Sequence, residues 1–512
     1  MLSRSDPGTL MNNQDPVPKH ILIVGGGSAG WMTASLLLHS LGNIGCKVTL
    51  VESRNISTIG VGEGTTPLFK RFLNFLGISE SEFMSSCKAT IKAGINFPGW
   101  TGSDEFAAYF HPFDAPGYRH YQQRFFENCR LRRSGLTADT DPGNYFFNAE
   151  LAAQCKAPSG PPPLDSAKID YAYHFDTGLL ADFLKQRCLN QGISHIADNV
   201  IEVVKKDNGD ISHLVTANHG KFSADFFVDC TGFARLLIGK FPDTEIISYK
   251  PRLFNDRAVV IRTTEQEQDD IPPFTESRAL KCGWAWRIPL AGKISWGYVY
   301  SADYSSQDDA EQELRKLIGT PAINVPALYI KLHTDRVMEH WKNNCVAIGL
   351  SQGFIEPLEA TALGLTQFSI NRFITHYTRG NYQPIYRDHF NTVINEAFDA
   401  TINYIQMHYK LTTRNDTQYW RDCSTNENIT DAMRGVIAGW DSAHEDFLSV
   451  LKQYVHRSSY APYSWYCILS GMGRYPAKTL GQSRHGVVNP YRDEVRKYYS
   501  HRQFLTDIRT GN

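Results

Sequence analysis

Apolar positions fall into two rhythms along this 512-residue chain. Short, nearly continuous apolar runs that stop at glycine predict buried strands, and three-to-four spacing predicts helices with one face on a sheet. The run His20-Ile21-Leu22-Ile23-Val24 turns through Gly25-Gly26-Gly27 into a segment whose Ala34, Leu36, Leu37, Leu38 and Leu41 are apolar. That is strand, tight turn, helix. Lys47-Val48-Thr49-Leu50-Val51-Glu52 predicts the next strand, and a helix follows near Pro67–Leu76 with Pro67 at an early position. Residues 81–97 are apolar around Lys88 and Lys92, and aromatics cluster at Tyr109-Phe110-His111-Pro112-Phe113. Residues 157–163, rich in proline and glycine, give the strongest loop signal. Beyond them the pattern predicts a strand at Tyr171–Phe175, a helix near Thr177–Leu189, and strands at Val200–Val204, Ser212–Thr216, Phe222–Asp229 and Ile294–Tyr300. From about residue 366 the spacing is helical almost to the end, whereas residues 1 to 18 predict a loose tail.

The first turn carries chemistry. Gly25, Gly27 and Gly30 have the G-x-G-x-x-G spacing. The first glycine permits the turn, the second admits a diphosphate to the backbone, and the third lets helix and strand close up. The amides of Ser28 and Ala29 then open the helix, where free N–H groups and the dipole favour phosphate. Glu52 ends the second strand 22 positions after Gly30, where a ribose hydroxyl needs an acceptor. The stretch Gly60-Val61-Gly62-Glu63-Gly64 suits a loop lying against a flat ligand, or a plain turn into the next helix. Cys230-Thr231-Gly232 and Ile348-Gly349 bring the chain back toward the dinucleotide. The expected cofactor contacts are therefore Gly25, Gly27, Ser28, Ala29, Gly30, Glu52, Gly62, Glu63, Gly232 and Gly349.

Composition narrows the partners. With 52 Lys plus Arg against 53 Asp plus Glu, the chain has no basic field for nucleic acid or acidic lipid. No run approaches a membrane span and no apolar signal segment opens the chain, so the cytoplasm is the expected location. The ten cysteines contain no C-x-x-C pair, which argues against a metal site or a disulfide framework and for reduced, mostly buried thiols. Trp284 and Trp286, two apart on a strand, share a face; a lysine in apolar surroundings, such as Lys88 or Lys92, usually snorkels to the surface.

These segments together resemble one family, the flavin-dependent halogenases of the tryptophan (indole) halogenase type. The strongest token is G-W-x-W-x-I-P, matched by Gly283, Trp284, Trp286, Ile288 and Pro289. G-G-G-x-A-G-W-M at 25–32, I-G-V-G-E at 59–63, A-T-x-K at 89–92 and G-F-x-E-P-L-E at 353–359 follow in the family's order. The resemblance implies an α/β fold: a Rossmann-like, GR2-type monooxygenase-like FAD box domain with a mainly helical C-terminal subdomain. Its expected bounds are a tail at 1–18, an FAD-binding halogenase core with substrate-domain insertions at 19–380, and a helical substrate-covering part at 381–512.

The implied chemistry takes FADH2 from a separate NAD(P)H-dependent flavin reductase, together with O2 and a halide, bromide or chloride. Hypohalous acid forms and passes through an internal tunnel to a lysine, here Lys92, which holds it by hydrogen bonding or as a haloamine near one carbon of an aromatic substrate. Glu359, the second acid of E-P-L-E, polarises the halogen donor and accepts the ring proton. By the same resemblance, Thr361 and Ala362 bind halide, and Trp284 and Trp286 wall the tunnel. His111, Phe113 and Trp465 enclose the flat ring of the substrate. The expected assembly is a monomer or homodimer.

Two departures bear on specificity. Ala360 and Ala362 stand where the family has serine and glycine in E-P-L-E-S-T-G, and backbone donation to halide survives at Ala362 only if its φ is negative. An ungapped count back from Trp465 places Gln453, Tyr454 and Tyr460 where an amino-acid backbone would be recognised, which points away from free tryptophan. A flavin monooxygenase hydroxylating an aromatic, and a non-catalytic flavin-binding redox protein, share the nucleotide motifs. Only Gly25–Gly30 has the strand–turn–helix context of a dinucleotide fingerprint, so the protein is expected not to reduce its own flavin.

Overall fold

Strand, turn and helix open the chain as the glycine spacing predicts: His20–Val24, then Ser28–Leu41, then the strand Lys47–Glu52. The structure, a computed structural model, describes residues 18–55, 62–161, 164, 168–264, 270–443, 445–455, 460–479 and 488–510. The expected tail up to residue 17, residues 56–61 with Gly60 and Val61 of the glycine-rich stretch, and residues 162–163 of the proline loop lie outside the described residues.

Among the described residues a six-stranded sheet runs in the order Trp341–Lys342, Cys345–Ala347, Phe226–Asp229, His20–Val24, Lys47–Glu52, Ser194–Ala197. All its pairs are parallel except the edge hairpin. Both faces are covered, which is why the first run is continuously apolar. Ile21 and Ile23 face the main core under the helices, while Leu22 and Val24 join Ile211 and Leu214 on the other side.

A seven-stranded sheet, Leu328–Lys331, Arg257–Thr264, Lys293–Tyr300, Gly283–Leu290, Thr275–Leu280, Gly94–Pro98, Ala108–Pro112, is antiparallel but for one pair. Its back packs on the helix Gln307–Ile318 through Val259, Ala285 and Leu314. Against the seven-stranded sheet packs a small one of three strands, in which Ala172–Asp176 pairs on one edge with Gly62–Gly64 and on the other with Thr90–Lys92. Asp176 accepts from the amides of Gly178 (2.9 Å) and Leu179 (3.1 Å), capping the helix Thr177–Asn190, and pairs with Lys293 of the seven-stranded sheet.

The stretch 222–229, expected as one strand, is two. Gly220–Phe222 closes an antiparallel meander with Ile211–Thr216 and Val200–Lys205, and Phe226–Asp229 enters the parallel sheet. The change of partner occurs where Asp225 accepts from the His20 amide (2.9 Å) and the Ser223 carbonyl meets His20 Nδ1 (2.9 Å). From Ala362 onward the described elements are all helices, starting with Ala362–Arg379 and Arg387–Lys410. The last helix, His501–Thr510, returns to the lysine strand: His501 Nε2 accepts from the Ile91 amide (3.0 Å) and Nδ1–H donates to the Ile271 carbonyl (2.8 Å). Burial brings His501 down to about 4, so it is neutral at physiological pH. All ten cysteines are free, and no helix among the described residues is long and apolar enough to cross a membrane.

Candidate functional site

A cavity of about 510 Å³ runs along the carboxyl ends of the parallel strands. Gly25, with φ +110°, turns the chain under it; a Cβ there would stand 2.2 Å from the Cys230 carbonyl oxygen. A Cβ on Gly30 would stand 1.9 Å from the Gly25 oxygen, so the third glycine serves strand–helix contact and does not line the cavity. Gly27 is the opposite case. A Cβ there would have nothing within 4 Å, and the helix it caps has no side-chain acceptor on its first amides. An open, uncapped helix N-terminus beside a cavity fits the diphosphate of FAD.

The other expected cofactor contacts, Ser28, Ala29, Glu52, Gly62, Glu63, Gly232 and Gly349, all line the same cavity. Glu52 is held from one side: its Oε1 accepts from Lys185 Nζ (2.6 Å) and His195 Nε2 (2.8 Å), while Oε2 stays beside the Gly26 turn. Trp284, Trp286, Thr361 and Ala362 line the cavity as well, the two indoles 6.1 Å apart. Ala362 is the first residue of an 18-residue helix and is not among the positive-φ residues. Its amide therefore remains a donor at a helix N-terminus, beside the buried Thr361 hydroxyl, which has no hydrogen-bond partner among the described residues. The strained backbone is two residues before Ala362, at Ala360 with φ +56°.

Lys92 lines the cavity too, and it does not snorkel: it is fully buried, whereas Lys88 at φ +50° is exposed. Its Nζ donates to the Thr65 carbonyl (3.1 Å) and sits 5.3 Å from the centre of the Phe113 ring. A Cβ on Gly64 would come within 3.2 Å of Nζ, so glycine is what lets the small sheet close over the amine. Burial brings Lys92 from its ordinary 10.5 down to about 7 against the pull of Glu359 and Glu63. The same burial pushes Glu63 up to about 7, with Lys92 opposing.

Glu359 is buried and clasped by two imidazoles. His111 Nδ1 lies 3.1 Å from both carboxylate oxygens, and His408 Nε2 lies 3.3 Å from Oε1. Burial pushes Glu359 up, but the two histidines outweigh it and hold the acid down at about 2. His111 Nδ1 must carry hydrogen to face a carboxylate, which leaves Nε2 to accept from Ser464 Oγ (2.9 Å) in the neutral ring. His408 Nδ1 donates to the Tyr404 carbonyl (3.2 Å), so its Nε2 faces Glu359 with a proton only when the ring is cationic.

Nothing in the sequence singled out His408. It lies inside the helix Arg387–Lys410 among buried aromatics, 49 positions from Glu359, where local spacing carries no message. Trp465 is buried and packs edge-on against Tyr404 at 5.0 Å; Tyr404 in turn meets His111 at 5.9 Å. Gln453 and Tyr454 do not face this cluster. Both are exposed, and the Tyr454 ring lies against Gly435, so the ungapped count back from Trp465 fails for them. Tyr460 does belong, stacked on Tyr404 at 3.6 Å.

A sequence profile of the tryptophan halogenase family matches residues 20–485. The chain is similar to the tryptophan 6-halogenase SttH of Streptomyces toxytricini, 36% identical over 482 residues, covering 90% of each chain. It is 33% identical over 485 residues to the tryptophan 7-halogenase RebH of Lentzea aerocolonigenes, covering 89% of this chain and 90% of that one. Its fold is similar to the solved structure of BrvH, a flavin-dependent halogenase from Brevundimonas sp. BAL3, with a TM-score of 0.80, 31% identity, and coverage of 96% and 99%.

Proposed function

The chain belongs to the tryptophan halogenase family, and from that premise we propose that it halogenates an electron-rich aromatic of the indole type with hypohalous acid. One observation carries this: a single cavity joins a fingerprint for a dinucleotide to a buried lysine, and a clasped carboxylate lies near that lysine. Bound FAD, supplied reduced by a separate flavin reductase, provides the electrons by which O2 oxidises the halide. Gly27 and the helix behind it hold the diphosphate, and Glu52 takes the ribose. The amide of Ala362 and the Thr361 hydroxyl hold the halide, and Trp284 and Trp286 keep organic substrate out of the flavin end.

Lys92 does the directing. Its ammonium donates to the oxygen of hypohalous acid, the aromatic carbon attacks the halogen, and the departing hydroxide takes a proton from Lys92 and leaves as water. Glu359, ionised because two imidazoles face it, accepts the proton from the ring carbon as aromaticity returns. The proton then returns from Glu359 to Lys92, and the sum is Ar–H plus HOX giving Ar–X plus water. Cytoplasmic residence and a monomer or homodimer complete the proposal.

The test is mass spectrometry of indole, substituted indoles, phenols and free tryptophan incubated with the protein, FAD, a reductase, NADH and each halide. A halide-dependent mass increase is expected. Oxygen insertion without halide overturns the proposal in favour of a hydroxylase, and unchanged substrates with tightly bound FAD favour a redox protein.

A further inference from the structure

The first acid of the E-P-L-E segment has no part in the chemistry above, yet it is the more deeply buried of the two. Glu356 is fully inaccessible, and all its hydrogen bonds converge on one oxygen. Oε2 accepts from Trp284 Nε1 (3.0 Å), Asn255 Nδ2 (2.9 Å) and Tyr409 O–H (2.7 Å); Oε1 has no hydrogen-bond partner among the described residues. The donors cannot reverse. An indole nitrogen only donates. Asn255 is oriented by Tyr419, whose hydroxyl donates to its Oδ1 (3.0 Å), and the Asn255 amide also reaches the Tyr409 oxygen (3.0 Å). Three fixed donors converging on one oxygen suit the negative charge of a carboxylate, which accepts more strongly than the neutral oxygen of an amide.

The arrangement has an address. Ile355, Pro357 and Leu358 all line the cavity, and so does Trp284. Glu356 is thus a peg driven the other way from a cavity-facing segment, and the indole it grips is part of the cavity wall. We infer that Glu356 is a positioning residue, fixing the Trp284 indole as a rigid wall so that hypohalous acid travels to Lys92 and does not leak. The inference rests on the halogenase proposal for its activity arm only.

Four proteins test it: wild type, Glu356→Gln, Trp284→Phe and the double variant. Phenylalanine keeps a ring and removes the donor. In ligand-free protein, Glu356→Gln is expected to change the tryptophan emission and near-ultraviolet circular dichroism, and the same substitution in the Trp284→Phe background to change neither. In turnover, halogenated product per FADH2 is expected to fall about tenfold in Glu356→Gln while hypohalous acid caught by an external scavenger rises. The double variant should be no worse than the more damaged single one. Glu356→Gln/Tyr409→Phe takes one donor away from the weaker, neutral acceptor and is expected to restore coupling to within about twofold; it carries the test where Glu356→Gln alone folds poorly. Multiplicative losses in the cycle, or a spectral change from Glu356→Gln that persists without the indole, overturn the inference. The spectral arm needs no halogenation, so it decides about Glu356 even if the wild type yields no halogenated product.

Discussion

Lys92 is a residue whose burial works against the fold and for the chemistry. Its proton affinity drops from 10.5 to about 7 on folding, so between those values the unfolded chain binds more protons, and stability rises with pH through that window. Below about pH 7 the cost of the buried ammonium is fully present. Lys92→Met is therefore expected to raise the melting temperature at pH 6 by roughly 3 °C, with the gain shrinking toward pH 10; scanning calorimetry at both values checks it. Lys92→Ala should abolish halogenated product while FAD still binds, measured by fluorescence quenching, because in the proposed reaction the amine acts on the electrophile and not on the diphosphate. Glu359→Gln keeps the shape of the acid without its charge, and turnover should fall ~10²–10⁴-fold, as for a positioned acid–base group. A loss below about threefold would leave Glu359 a structural partner of His111 and His408. Lys92 and Glu359 were legible in the sequence only through their motifs. Burial, which turns a lysine from a snorkelling side chain into a reagent, depends on Thr65, Phe113 and Gly64, and no local pattern announces that convergence.

At the scale of elements, the strand that bears Lys92 hangs from the far end of the chain. His501 must stay neutral to accept from Ile91, and burial has lowered its proton affinity to about 4 from an unfolded value near 6.5. As pH falls through 6.5 the unfolded chain takes up a proton that the folded chain refuses, so stability declines progressively down to about 4. His501→Gln preserves an acceptor and a donor without titrating. Its melting temperature should fall less between pH 7 and pH 5 than that of the wild type. The strands His20–Val24 and Lys47–Glu52 were readable to the residue, because burial on two faces leaves the apolar stretches Ile21–Val24 and, around Thr49, Val48–Val51. The stretch 222–229 was not, because apolar content says that a strand is buried and not which sheet it joins. The swap at Asp225 is decided by backbone partners some two hundred residues away.

At the scale of the whole molecule, a single dinucleotide fingerprint at Gly25–Gly30 lies at the cavity, and the proposed function leaves reduction of the flavin to another protein. Mixed anaerobically with oxidised FAD and excess NADH or NADPH, the purified protein should leave the flavin absorbance unchanged on the timescale of turnover. Bleaching without a reductase would reveal a nicotinamide site. Under that proposal the reduced cofactor must enter and leave, and the small sheet gives such traffic a mechanical consequence. Its middle strand, Ala172–Asp176, is bonded on one side to Gly62–Gly64 and on the other to the lysine strand. Thr65 is tied to Tyr173 (2.9 Å), and its carbonyl holds the Lys92 amine. On the proposed cofactor site, Gly62–Gly64 would be unable to move away from the flavin without disturbing the carbonyl that holds that amine. Cofactor wall and lysine anchor are thus mechanically one piece.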